Sequence, residues 1–345
     1  MYYGNKRKNK AIIVISLAIP VLIGSLRYGV GTDYGNYVSI YNNLSNLSFS
    51  NYFIGIASNL EFGFFTLVKI SKLITGDYTF LFASSCFLTV LFFYKALKRY
   101  DIKHSALVYF LFLTTIFPTS FNTVRQSIAI SICFFAFSYI IERKPKKYLL
   151  WIFIASLFHV SAIILLPFYF INRLVKNKKG HNKKFIIIKS LLLASIILLL
   201  LPYVYEFIQM IPFLNKYTIY QSISADGNNY IIYLNIVILA VILLFYKKLV
   251  LISNTNIYLY VFTIMNIVLL TLGFASPFVK RIALYFSLFS PILMTYLCDI
   301  FSDRLGRFIS YSLLILYGLL FFYISFYLMG QADIIPYRLL PGAVL

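Results

Sequence analysis

Long apolar runs separated by short, mostly basic breaks set the rhythm of this chain from residue 11 onward. A helix needs about 20 apolar residues to cross the hydrocarbon of a bilayer, and runs of that order recur along the whole sequence. The period-2 alternation of a membrane β-barrel is absent, and a lipid-embedded backbone can satisfy its amides only as a helix or a closed barrel. The pattern therefore predicts an all-α, polytopic helical membrane protein. Spans fall at about 11–27, 78–96, 104–121, 124–142, 185–204, 230–246, 256–275, 281–299 and 307–329.

Two stretches depart from this rhythm. Residues 147–172, "KYLLWIFIASLFHVSAIILLPFYFIN" with its flank, carry basic clusters on both sides, so one crossing would leave a cluster on the wrong face. The pattern predicts a broken or re-entrant helix pair meeting near "FHVS", which brings the expected total to about 10–12 membrane helices. Non-helical backbone at that depth must be surrounded by protein or a watery cavity. Residues 61–76, "EFGFFTLVKISKLITG", are amphipathic and read as an interfacial helix, with Lys69 and Lys72 placed for lipid headgroups.

Composition agrees: 61% of the 345 residues are hydrophobic and 12% charged, half the charged share of an ordinary soluble chain. A formal charge of +21 raises the question of a nucleic-acid partner, but the basic residues come in short clusters between apolar runs. That distribution is the signature of cytoplasmic loops, and no nucleic-acid partner is expected. Keeping the clusters inside puts the amino terminus in the cytoplasm and the carboxyl terminus outside. The first run follows "KRKNK" without a small-residue cleavage site and reads as a retained helix. The expected organisation is one integral-membrane domain over 1–345, with outer loops at 28–77 and 205–229. Cys86, Cys133 and Cys298 lie in apolar runs, so no disulfide framework and no metal site is expected.

A few basic residues fall on the outer side against the charge bias, among them Arg27, Arg125, Arg281 and Arg338. An arginine within a span costs about 2.5–3.5 kcal/mol on insertion scales, so something must compensate it. A local acid would do so, and so would a bound anion, for which the planar guanidinium is suited. Asp33 is the carboxylate best placed to pair with Arg27 or to activate a hydroxyl, while Glu61 suits the start of a helix. His159, at the expected break, is a candidate proton acceptor or phosphate donor, though a lone helical histidine is commonly a structural hydrogen-bonder. The Tyr- and Asn-rich outer loops offer faces and amides to a glycan, and equally an interfacial aromatic belt.

The strings "RYGVGTDYGNY", "NTVRQSIAIS", "FHVSAIILLPFY" and "KRIALYF" together resemble the EpsG and Wzy-type polysaccharide polymerase family of bacterial membranes. The resemblance covers most of the chain. It implies the C-type membrane glycosyltransferase fold and metal-independent, inverting transfer of polyprenyl-pyrophosphate-linked repeat units on the outer face of the cytoplasmic (inner) membrane. No cofactor is implied. The implied partners are the lipid-linked glycan donor and acceptor, membrane lipid and a chain-length regulator. The matching positions are Arg27, Asn122, Arg125, Gln126, Arg281 and Arg338 for pyrophosphate and glycan binding, with His159 and Asp33 as catalytic candidates. A membrane O-acyltransferase and a lipid-linked glycan flippase are the competing readings. The first wants an earlier histidine than His104, and the second wants two similar halves.

Overall fold

The computed structural model describes residues 10–56, 60–171, 229–252, 256–273 and 277–339, together with Ile188, Ser190, Leu192 and Ser195. The expected span at 185–204 and the loop at 205–229 lie outside the described residues. The architecture is all-helical. The chain divides into two compact units, Met1–Tyr169 with Leu313–Leu345, and Phe170–Ser312.

The first unit opens with α1 (Lys10–Ser25), α2 (Tyr34–Leu44), α3 (Phe49–Phe53) and α4 (Phe62–Ile74). Helices α5 (Thr79–Arg99), α6 (Ser105–Thr115), α7 (Val124–Ile141) and α8 (Pro145–Ser156) follow. Pro118 stops α6 and turns the chain through a 3-10 segment, Phe117–Phe121, because proline offers no amide to continue the ladder. Pro145 opens α8, where its missing amide costs nothing. Nearly every residue of α7 is buried, and it packs between α5 and α8. Rings from three helices stack at its side: Phe93 of α5 lies 3.9 Å from Phe112 of α6 and 5.6 Å from Phe134 of α7. Lipid is as apolar as these side chains, so close packing rather than expulsion from water holds such helices together. Gly24 serves the same end, since a Cβ there would overlap the Cys86 sulfur of α5.

Within the stretch expected as a broken or re-entrant pair, two short helices meet near "FHVS". Helix α8 ends at Ser156, and after Leu157, Phe158 and His159 the chain resumes as a 3-10 helix, Val160–Phe170, rather than a second α-helix. The stretch expected as the loop 28–77 holds three helices. Tyr34, Tyr37 and Tyr41, one side of α2, are buried, with Tyr34 stacked on Phe82 and Tyr37 edge-on to Phe64. These tyrosines pack the unit and do not stand open as sugar platforms. The stretch expected as an interfacial helix forms α4. Its Lys69 donates to the Ser45 carbonyl at 2.7 Å, at the carboxyl end of α2 where a cation suits the exposed carbonyls.

The second unit contains α9 (Asn229–Leu244), α10 (Tyr246–Ile252), α11 (Asn256–Leu272), α12 (Pro277–Ala283) and α13 (Phe289–Thr295). The span expected to run unbroken over 281–299 is bent by 42° between Phe286 and Phe289. The chain's last long helix is α14 (Arg304–Phe322), continued by a π-helical turn at Tyr323–Leu328 and mostly exposed along its apolar surface. Among the described residues three helices are long and apolar enough to cross a membrane, or four if the bent pair counts as one span. Shorter apolar helices accompany them, as in a multi-pass membrane protein.

Candidate functional site

The loop after α1 is built around Arg27. Its side chain is turned inward and only 3% of the residue is exposed. Nη1 donates to the carbonyls of Phe121 at 2.7 Å and Val30 at 3.2 Å, and the guanidinium lies 4.3 Å from the Phe82 ring and 4.7 Å from the Phe121 ring. Guanidinium is weakly hydrated and planar, so two ring faces and two carbonyls compensate its burial. Arg27 does not pair with Asp33. That carboxylate sits half-buried at the start of α2, where it accepts a long bond from Asn36 at 3.4 Å.

Gly31 lets this loop close. Its φ of +98° is a conformation L side chains rarely adopt, and a Cβ there would stand 2.7 Å from Asn122 Oδ1 and 3.1 Å from Arg27 Nη1. The carboxyl-terminal tail lies against the same loop. Gly31 N–H donates to the Asp333 carbonyl and Tyr28 N–H to the Arg338 carbonyl, both at 2.8 Å. Asn122 Nδ2 donates to the Ala332 carbonyl at 3.2 Å, and the Tyr337 hydroxyl donates to the Ile23 carbonyl. These bonds bring Arg27, Asn122 and the backbone of Arg338 together, and the Arg338 side chain is exposed.

Arg125 opens α7 in a different setting. Nη1 meets Glu61 Oε2 at 2.5 Å, and 22% of the arginine side chain stays exposed against 2% of the glutamate's. The Tyr37 hydroxyl donates to the Asn122 carbonyl at 3.3 Å and faces Arg125. Burial pushes this phenol above its ordinary range, while the Arg125 charge pulls the other way. Gln126 is buried on the same first turn of α7.

Glu61 precedes the first residue of α4, and that end of α4 docks on the broken pair. Gly63 N–H donates to the Leu157 carbonyl at 2.7 Å, and a Cβ at Gly63 would lie 2.7 Å from that same oxygen, so only glycine permits the approach. Two residues beyond Leu157 stands His159, 4% exposed, with Nδ1 2.6 Å from Ser161 Oγ. Arg125, Glu61 and the His159 break are thus joined by direct contacts within the first unit. Arg281 belongs to the second unit, half-buried on α12.

Glu61, Gly63 and Tyr37 are the residues that sequence reasoning did not bring to the site. The one available signal was the acid itself, since a carboxylate that starts an apolar helix in a chain with ten acids needs a partner. What the arrangement provides is a guanidinium held from one side by a carboxylate and partly exposed on another, linked through the start of α4 to the segment that carries a histidine whose Nδ1 meets Ser161. Such a set can receive an oxyanion and a proton. Among the described residues no group of three His, Cys, Asp or Glu stands ready to hold a metal.

No curated protein and no solved structure matches the chain. A family match runs nearly end to end, over residues 10–339, and takes in the Arg27 loop, the Arg125 turn, the His159 break and the Arg281 helix. The chain therefore belongs to the EpsG family, and that membership indicates a polysaccharide-polymerase type of function in a multi-pass membrane protein.

Proposed function

We propose that this protein joins polyprenyl-pyrophosphate-linked oligosaccharide repeat units into a surface polysaccharide on the outer face of a bacterial cytoplasmic membrane. One observation carries the reading: in a chain of the EpsG family, the Arg125 turn, the Glu61 helix start and the His159 break are joined by direct contacts in one unit. The amino terminus then lies in the cytoplasm and the carboxyl terminus outside.

In this mechanism an acceptor hydroxyl attacks the anomeric carbon of the donor from the face opposite the pyrophosphate. The bond from that carbon to the phosphate oxygen breaks, and the electron pair leaves with polyprenyl pyrophosphate. Arg125 meets the charge growing on the leaving group, and the exposed Arg338 of the same unit is assigned to that anion, while Arg281 of the second unit is assigned to substrate binding. His159 takes the hydroxyl proton on Nε2, with Ser161 fixing the tautomer through Nδ1, and Asp33 is the alternative base. Gln126 orients the glycan, whereas Arg27 and Asn122 act by holding the loop and tail in place. A single displacement inverts the anomeric centre. The guanidinium groups take the role a metal plays in other glycosyl transfers, and a chain-length regulator is the partner the reading calls for.

The test is chain extension by purified protein in lipid, supplied with a synthetic polyprenyl-pyrophosphate repeat unit of its host, without nucleotide sugar or added metal. A ladder of lengthening product is the expected result. Arg125→Ala should reduce it about 10²–10³-fold, the scale of losing one donor to a developing anion. His159→Ala should slow turnover more than it weakens donor binding. Folded wild-type protein that yields no ladder from the correct repeat unit overturns the reading.

A further inference from the structure

We infer that Glu61 is a positioning residue for the transfer reaction, the carboxylate that aims Arg125 and ties it to the segment carrying His159. The inference rests on the polymerase reading above and adds a residue to it. Three contacts carry it. Glu61 Oε2 holds Arg125 Nη1 at 2.5 Å. Glu61 directly precedes α4, whose Gly63 N–H donates to the Leu157 carbonyl at 2.7 Å. Leu157 stands two residues before His159.

The burial of the pair is lopsided, and that decides the role. Glu61 exposes 2% of its side chain and Arg125 22%, so the carboxylate grips the guanidinium from the protein side while part of the cation faces outward. A carboxylate in a short ion pair with arginine is a poor proton acceptor, which argues against Glu61 as the base. Its position serves geometry instead. One carboxylate at the junction of α4, α7 and the broken pair fixes the separation between the group that meets the leaving anion and the group that receives the proton. Placement errors of about 1 Å cost about a hundredfold in such reactions.

The structure also explains why a carboxylate stands here rather than a neutral amide. Glu61 offsets the charge of Arg125 in the resting protein, which keeps a partly buried cation tolerable before the donor arrives. It repels the bound pyrophosphate at the same time, so it trades ground-state affinity for aim and release. Turnover and binding should therefore move apart when its charge is removed.

The experiment compares wild type, Glu61→Gln and Glu61→Asp in lipid, reading chain-extension kcat and, separately, the Kd for polyprenyl pyrophosphate alone. Glu61→Gln should lose about a hundredfold in kcat while binding polyprenyl pyrophosphate as tightly as wild type or tighter. Glu61→Asp keeps the charge one methylene short, and should recover about tenfold of that loss, with Kd unchanged. It also serves as the test if Glu61→Gln does not fold, since a fall in kcat at unchanged Kd is then the expected result. Parallel loss of turnover and binding, or no loss of turnover, overturns the positioning role while leaving the polymerase reading intact. Wild-type protein that neither extends chains nor binds polyprenyl pyrophosphate overturns both.

Discussion

Arg27 and Arg125 look alike in the sequence, each a lone arginine where an apolar run ends, yet their surroundings separate them. Arg27 lies between the Phe82 and Phe121 rings and donates to two carbonyls, so its charge is already spent inside the protein. Arg125 is held by Glu61 and keeps part of its surface exposed. A lysine can neither stack in a plane nor bridge two carbonyls in the same way. Arg27→Lys is thus expected to cost about 2 kcal/mol of stability, the scale of a desolvated cation–π contact, seen as a lower Tm in detergent, while affinity for polyprenyl pyrophosphate holds. Unchanged Tm with lost affinity would make Arg27 a direct ligand instead. The sequence identifies both arginines as anomalies through the charge rule. It does not separate them, because the partners that do so lie up to 94 residues away along the chain.

At the scale of elements, the region between the first two long helices shows most clearly where sequence patterning succeeds and where it stops. The amphipathic stretch 61–76 was legible because its apolar and polar faces alternate with helical period, and it is α4. Helix α2 was legible in principle, since Tyr34, Tyr37 and Tyr41 recur at i, i+3 and i+7, but tyrosine is so abundant here that the stripe reads equally as an interfacial belt. Helix α3 is only five residues long, set by Ser48 and Asn51, which cap each other through side chain and backbone. The docking of α4 on the broken pair turns on Gly63. Gly63→Ala should push α4 off the Leu157 carbonyl and lower chain extension about a hundredfold at matched protein level, given the precision such placements demand. Activity equal to wild type would show that the α4 contact does not hold the site.

For the whole molecule, membrane topology is the property with the sharpest test. The distribution of charge clusters predicts that the α7–α8 turn faces the cytoplasm and α2 the outside. In a background without Cys86, Cys133 and Cys298, Asn43→Cys is expected to react with a membrane-impermeant maleimide in intact cells, and Lys146→Cys only after permeabilisation. Both positions are exposed, so the reverse pattern would invert the topology. Helical class, the position of most described helices and the list of unusual arginines were legible in the sequence, because hydropathy and charge act locally and leave periodic marks. The bend between Phe286 and Phe289 has a sequence mark that hydropathy passes over: Pro291 has no amide to donate and its ring crowds the carbonyl of Ser287, inside the bend. Only the tertiary structure decided that Arg27 is an internal clamp, that the tail lies against its loop and that Glu61 joins Arg125 to the broken pair. Those outcomes depend on contacts between distant segments, and hydropathy, which positions helices relative to the bilayer, carries no information about which of their polar ends will meet.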